Sequence, residues 1–298
     1  MNVLIIKENR NAFEKFVTKQ LGKYATVVPV YGNYSFASRG LRKIQKKIPI
    51  LNNYLWIWFG KWRQQLLKYD KIIIFDISME QELIDYVIKK PYNNRFVLWF
   101  WNSFEQLPVD FKSLRACSFD KRNCERFNFR HVEQFYFDIV PILQDEYMND
   151  IFFIGEDKGR LDKIREIASI LVSYNLTCNI KVKTDQKNEK DKNIQYIDQM
   201  YPYEEVISNI QESKCILEIC KTDQIGLSLR ALEALFFKKK LITNNQEISQ
   251  YDFYNKNNIF IIGVDDINQI VEFVNGLFEP VDSSILKKYS IDSWINEI

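Results

Sequence analysis

At 298 residues, 46% apolar and 27% charged, the chain is excluded from the disordered class and is long enough for two cores of roughly 150 residues each. A net charge of +2 excludes a uniformly basic or acidic protein, yet it hides an asymmetry. From Lys15 to Tyr69 there are eleven Lys or Arg and no Asp or Glu, which leaves 30 basic against 39 acidic residues elsewhere. Segregation of this kind marks a surface for an anionic partner.

The opening MNVLIIKENR turns polar after six residues, without the longer apolar segment and cleavage site of a secretory signal. No run approaches the roughly 18 apolar residues of a spanning helix, so the sequence predicts a cytoplasmic protein. Cys117, Cys124, Cys178, Cys215 and Cys220 are odd in number and include no C-x-x-C pair, which argues for buried thiols rather than disulfides or a zinc site.

In chain order, apolar runs predict strands at 2–6, 25–30, 71–75, 95–101, 114–118 and 133–137, with helical patterns between most of them. The same grammar restarts with a strand at 150–155, a helix at 160–173, and strands at 177–182 and 193–197. A helix at 203–211, a strand at 214–219, a helix at 229–237, strands at 240–243 and 258–262 and a closing helix after Asp265 follow. Alternation of this type predicts two successive α/β domains with parallel sheets. The join falls in DIVPILQDEYMND, giving domains 1–143 and 144–298, and DQKNEKDKN (185–193) reads as a polar loop.

Missing motifs narrow the chemistry. There is no G-x-G-x-x-G after a strand and no G-x-x-x-x-G-K-[ST], so neither a nicotinamide site nor a P-loop is supported. His131 is the single histidine, read as solvated or capping just before a strand. No D-x-D triplet occurs, and Asp265 with Asp266 sits at a helix start, where carboxylates complement the dipole. Metal-held diphosphate binding is therefore not expected.

In QIGLSLRALEALFFKKKLITNN (224–245), Ser228 is the expected N-cap and Leu229 the first helical residue, beside Gly226. Leu229, Leu232 and Phe236 form the expected buried stripe, with Glu233 at its rim. Arg230 and the helix N-terminus would then hold a diphosphate while Glu233 accepts ribose hydroxyls. The bland alternative is an exposed i,i+3 pair of Arg230 with Glu233, worth tenths of a kcal/mol.

CILEICKTDQIGLSLRALEALFFKKKLITNN resembles the donor-binding region of GT-B-fold glycosyltransferases, particularly bacterial enzymes of capsular, exopolysaccharide and lipopolysaccharide assembly. Gly226, Leu227 and Ser228 match the family's loop and Glu233 its ribose-binding glutamate. Many members carry a second acidic residue eight positions earlier, where this chain has Ile225. DIFFIGEDKGRLDKI (150–164) is similar to the loop whose basic residues face the donor phosphates, which implies roles for Gly155, Lys158, Gly159 and Arg160. The resemblance spans about the last 150 residues, through YPYEEVISNIQESKCILEI (201–219), and is architectural elsewhere.

It implies two Rossmann-like domains facing each other across a cleft, with nucleotide-sugar donor in the C-terminal one and acceptor in the N-terminal one. There, SRGLRKIQKKIPILNNYLWIWFGKWRQQLLK (38–68) interleaves Trp56, Trp58 and Trp62 with basic residues, either to meet an anionic membrane surface or as a solvated face over a tryptophan core. Trp101 and Asn102 are candidates to stack on and hydrogen-bond an acceptor sugar. Asp76 and Asp120, at strand ends, are candidates for the base that an inverting transfer needs, against the alternative that each caps the next element.

The sequence thus predicts a metal-independent transferase without cofactor, acting on a glycan or polyprenyl-diphosphate-linked acceptor at the inner face of the membrane. Two competitors are a non-catalytic partner that stabilises or anchors another transferase and a nucleic-acid binder. No recognisable nucleic-acid module supports the second.

Overall fold

The computed structural model describes the chain apart from residues 34, 49–50, 52–53, 112–113, 143–145, 187–190 and 221–225 and the side chain of Arg39. The expected join at 143–144, Ile225 and part of the 185–193 loop lie outside the described residues. Two compact units divide at Val132 and Glu133, with Glu297 and Ile298 grouped with the first.

In the first unit β1 (Val3–Ile6), α1 (Ala12–Leu21), β2 (Thr26–Val28) and α2 (Phe36–Lys46) are followed by short 3₁₀ turns. Then come β3 (Lys71–Phe75), α3 (Gln81–Ile88), β4 (Phe96–Phe100), β5 (Arg115–Ser118), α4 (Lys121–Phe127) and β6 (Arg130–His131). The strands form one parallel sheet in the order β2-β1-β3-β4-β5-β6. Every residue of β1 and β4 is buried, which is why these strands read as unbroken apolar runs rather than alternating ones.

The sixth strand differs from expectation. It is formed by Arg130–His131, whereas 133–137 contributes only an isolated bridge from Tyr136 to Ser290. The apolar residues of EQFYF are buried as side chains of a linking segment, a pattern that periodicity cannot tell from a core strand. His131 is accordingly a strand residue, its Nε2 3.2 Å from the Phe119 carbonyl oxygen.

The second unit comprises β7 (Asn149–Glu156), α5 (Leu161–Ser173), β8 (Cys178–Lys183), β9 (Gln195–Ile197), α6 (Tyr203–Gln211) and β10 (Ser213–Glu218). It continues with α7 (Leu229–Phe237), β11 (Lys240–Thr243), β12 (Ile259–Ile261), α8 (Ile270–Asn275), α9 (Ser283–Lys288) and, all but its last residue, α10 (Ile291–Glu297). Its parallel sheet runs β12-β11-β10-β7-β8-β9. α5 buries Leu161, Ile164, Ile167, Ala168 and Leu171, a helical period that covers β7 and β8.

Both sheets are doubly wound α/β sheets of the Rossmann type. Their order reverses between β1 and β3 in the first and between β7 and β10 in the second, so each has a crevice outside the carboxyl ends of those strands, the usual ligand position in such sheets. Four of the five cysteines are buried and all five are free, as the odd count implied.

Candidate active site

At the carboxyl edge of the second sheet, α7 begins where the sequence placed it. Ser228 is the N-cap, its Oγ accepting from the backbone N–H groups of Arg230 (3.0 Å) and Ala231 (3.3 Å), and Gly226 takes a φ of 118° that favours glycine. Leu227 is buried beneath the turn.

The helix is not half-exposed as its pattern suggested. Ala231, Leu232, Glu233, Ala234, Leu235 and Phe237 are buried, while Leu229 and Phe236 are only partly so. Glu233 is 0% exposed and therefore does not lie at a rim. One carboxylate oxygen accepts from the Tyr203 hydroxyl and the other from Arg230, whose second nitrogen donates to the Ile154 carbonyl of β7 at 2.9 Å. Tyr136 donates in turn to the Tyr203 hydroxyl at 2.8 Å. Burial, and then the Glu233 charge, push the hydroxyls of both tyrosines far above their ordinary range. Neither sequence alternative fits: the i,i+3 pair exists, but inside the protein.

The loop after β7 is also more self-sufficient than expected. Lys158 and Gly159 both have positive φ, and the Asp157 carboxylate accepts from the backbone N–H groups of Gly159, Arg160 and Leu161 at 3.0–3.1 Å. Asp157 thus fills the anion position at the N-terminus of α5. Gly155 lies in β7 itself, where an added Cβ would come 3.2 Å from both the Arg160 guanidinium and the Phe153 ring. Arg160 reaches from this loop across the switch point to the carbonyl of Ile219, just beyond β10, and to that of Glu156. Lys158 is exposed, its Nζ 3.8 Å from Glu156, which also pairs with Lys183 at 3.2 Å.

Glu218, at the end of β10, was not anticipated. It is 2% exposed and accepts from the hydroxyls of Ser228 and Thr243, so the N-cap of α7 is held in place by a buried carboxylate. Burial raises its pKa, and the two hydroxyls offset part of the rise. The sequence did signal it: a charged residue closing the apolar run KCILEI is costly unless it is bonded.

Two donors at this edge lack acceptors among the described residues. Arg160 Nε and Asn245 Nδ2, just after β7 and β11, are both buried and unbonded. Buried donors of this kind are rare and costly.

The first unit gathers its candidates at the equivalent edge. Asp76, after β3, accepts from the Asn102 backbone and side-chain nitrogens, each at 2.9 Å, and from the Ile77 N–H at 2.7 Å. Burial raises its pKa, and the bonds from Asn102 and Ile77 moderate the rise. Trp101 is half-buried with its ring 5.5 Å from that of Phe75, whereas Trp99 is entirely core. Asp120 is a buried N-cap of α4, accepting from the Asn123 N–H at 3.1 Å and from the Ser103 hydroxyl, so the capping alternative holds for it.

No protein-family model matches the chain, and no curated protein matches it by sequence. Among solved structures it resembles sucrose-phosphate synthase from Thermosynechococcus elongatus, with a TM-score of 0.54, 9% identity, and coverage of 99% of this chain and 96% of that one. A UDP-glucosyltransferase from Polygonum tinctorium aligns at a TM-score of 0.43 and 11% identity, covering 97% and 92% of the two chains. The spinosyn rhamnosyltransferase SpnG aligns at 0.35 and 9%, covering 93% and 90%. The first likeness, with the two sheet topologies, shows the GT-B fold of two Rossmann-like domains.

Proposed function

We propose that the chain is a glycosyltransferase that moves a sugar from a nucleotide-diphosphate donor to a lipid-linked bacterial surface glycan of the capsular or lipopolysaccharide kind, without a metal. The second unit binds the donor at the β7–β10 switch point. The observation that carries this reading is the pair of unbonded buried donors there, Arg160 Nε and Asn245 Nδ2. Diphosphate or ribose oxygens would satisfy both, with Lys158 adding charge from the exposed side. The absence of any D-x-D triplet supports metal independence.

In the first unit Asp76 is the better of the two candidate bases. Its raised pKa brings it closer to the strength a general base needs, whereas Asp120 is committed to a helix cap. The basic stretch 38–68 supports action at an anionic membrane surface, where a polyprenyl-diphosphate acceptor resides.

One observation favours a second reading, a non-catalytic partner of another transferase. Asp157 and Ser228 already occupy helix-terminal N–H groups that a donor phosphate would use.

The test is a thermal-shift screen of nucleoside diphosphates and nucleotide sugars on the wild type, Lys158→Ala and Arg160→Ala. Saturation at a hundred times Kd adds about 2.7 kcal/mol of stability, visible as a raised Tm. Lys158 is the cleaner probe because it is exposed, whereas removing Glu233 would damage the fold itself. Stabilisation by one nucleotide that weakens in Lys158→Ala supports donor binding. No response across the panel favours the partner reading.

A further inference from the structure

The helix α2 is mounted inside out. A surface helix ordinarily turns its apolar stripe to the core, but among its described side chains α2 buries none fully and half-buries Ser38, Arg42 and Gln45, one face at helical spacing. That polar face does the docking. The Arg42 guanidinium lies 3.5 Å from the centre of the Tyr31 ring, and Gln45 accepts from Trp58 Nε1 at 2.8 Å. Beside them, Lys46 pairs with Glu80 and Glu82 at 3.2 and 3.4 Å.

About a quarter turn round the helix from that face lie Ala37, Leu41 and Ile44, again at helical spacing, with Ile48 just past the helix end and Phe36 at its first position. Phe36 is 86% exposed, Leu41 and Ile44 each 59%, and Ile48 41%. Lys43 and Lys47 flank this stripe, are exposed, and form no ion pair among the described residues. Of the three tryptophans of this stretch, Trp56 is 41% exposed and the other two are engaged within the fold. Trp62 is 4% exposed and donates to the Val30 carbonyl at 2.9 Å, and Trp58 is occupied by Gln45.

We infer that α2 lies in the plane of an anionic lipid bilayer, inserting Leu41, Ile44 and Ile48 among the acyl chains while Lys43 and Lys47, on the face that also carries Phe36, meet the headgroup phosphates. An exposed apolar stripe bordered by lysines is what an interfacial helix requires. A second copy of the chain is disfavoured because it would oppose two stretches that each hold eleven basic and no acidic residues between Lys15 and Tyr69. A nucleic acid would have no use for the leucine and isoleucines. α2 follows β2, so it leaves the same carboxyl edge of the first sheet that carries Asp76 and Asn102. Docking by this helix deepens the membrane part of the proposed function, and it is measured without donor, acceptor or turnover.

Flotation of the full chain with vesicles of phosphatidylcholine alone, and of phosphatidylcholine with phosphatidylglycerol in equal parts, tests it. The wild type is expected to float with the anionic vesicles and to retain part of that binding at about 1 M salt, where charges are screened beyond about 3 Å. Leu41→Ser and Ile44→Ser should each lower partitioning about tenfold, from the loss of one inserted aliphatic side chain. Lys43→Ser with Lys47→Ser should weaken low-salt binding and leave the salt-resistant part. All these residues are exposed, so circular dichroism and Tm should stay at wild-type values. Failure to float would overturn the inference. So would flotation that salt abolishes and the Leu41 and Ile44 variants do not change, or a concentration-dependent dimer that those variants dissociate.

Discussion

Arg230 and Glu233 are bonded to each other one turn apart on α7, with Glu233 wholly removed from solvent and Arg230 21% exposed at its side chain. Through Ile154 the same arginine ties the helix to β7, across the switch point of the sheet. Removing one partner strands the other charge in the interior. Arg230→Ala is therefore expected to cost about 3–5 kcal/mol in urea unfolding, while Arg230→Met combined with Glu233→Leu should recover most of that loss. A cost below about 1 kcal/mol for Arg230→Ala, the range of exposed pairs, would show that the pair is solvated.

The hydroxyl chain from Tyr136 through Tyr203 to Glu233 has a direction, since Tyr203 spends its only proton on the carboxylate. Tyr203→Phe leaves both neighbours short of a partner and should cost about 1–3 kcal/mol, whereas Tyr136→Phe removes only the terminal donor and should cost about 1 kcal/mol. The double variant should cost less than the sum of the two. Additive values in equilibrium unfolding would mean that the chain does not act as a unit.

α7 ends in the left-handed residue Lys238, with a φ of 54° and an exposed side chain, where helices usually place glycine. Lys238→Gly relieves that conformation at the expense of a more flexible unfolded chain, for an expected net gain of about 0.5–1 kcal/mol. A lower Tm for the variant would show that the lysine stem contributes packing that outweighs the backbone term.

Burial depresses Lys7 and Lys239 to about 8, although Glu14 partly supports the charge of the first and Cys215 that of the second. Between that value and the ordinary 10.5, the unfolded chain binds more protons than the folded one, so stability rises with pH over this window. Each full proton of difference gives a slope of about 1.4 kcal/mol per pH unit. Two other sets of groups oppose the rise, because they ionise more readily in the unfolded chain: the thiols of Cys117, Cys124, Cys178, Cys215 and Cys220 from about pH 9, and the buried tyrosines above about pH 10. The amine contribution is therefore read as a difference: in urea unfolding the stability of the wild type relative to Lys239→Met should increase from pH 8 to 10. A difference that does not change with pH would show that Lys239 stays charged.

The residue order alone specifies the α/β class and eleven of the twelve strands among the described residues, because buried parallel strands are apolar runs that end at turn residues. It also placed the Ser228 cap and the bounds of α6 and α7, which depend on local chemistry. Which charged residues are buried depends on partners far away in the chain. Glu233 moved from an expected rim to the interior because Tyr203, thirty residues away in sequence, supplies its hydrogen bond, and Glu218 gained a role because Ser228 and Thr243 converge on it. No periodicity encodes such convergence. The same holds for α2, whose pattern is equally compatible with its apolar stripe facing inward or outward. Its orientation was settled by Tyr31, Trp58, Glu80 and Glu82, which bind the polar face and leave the apolar one uncovered.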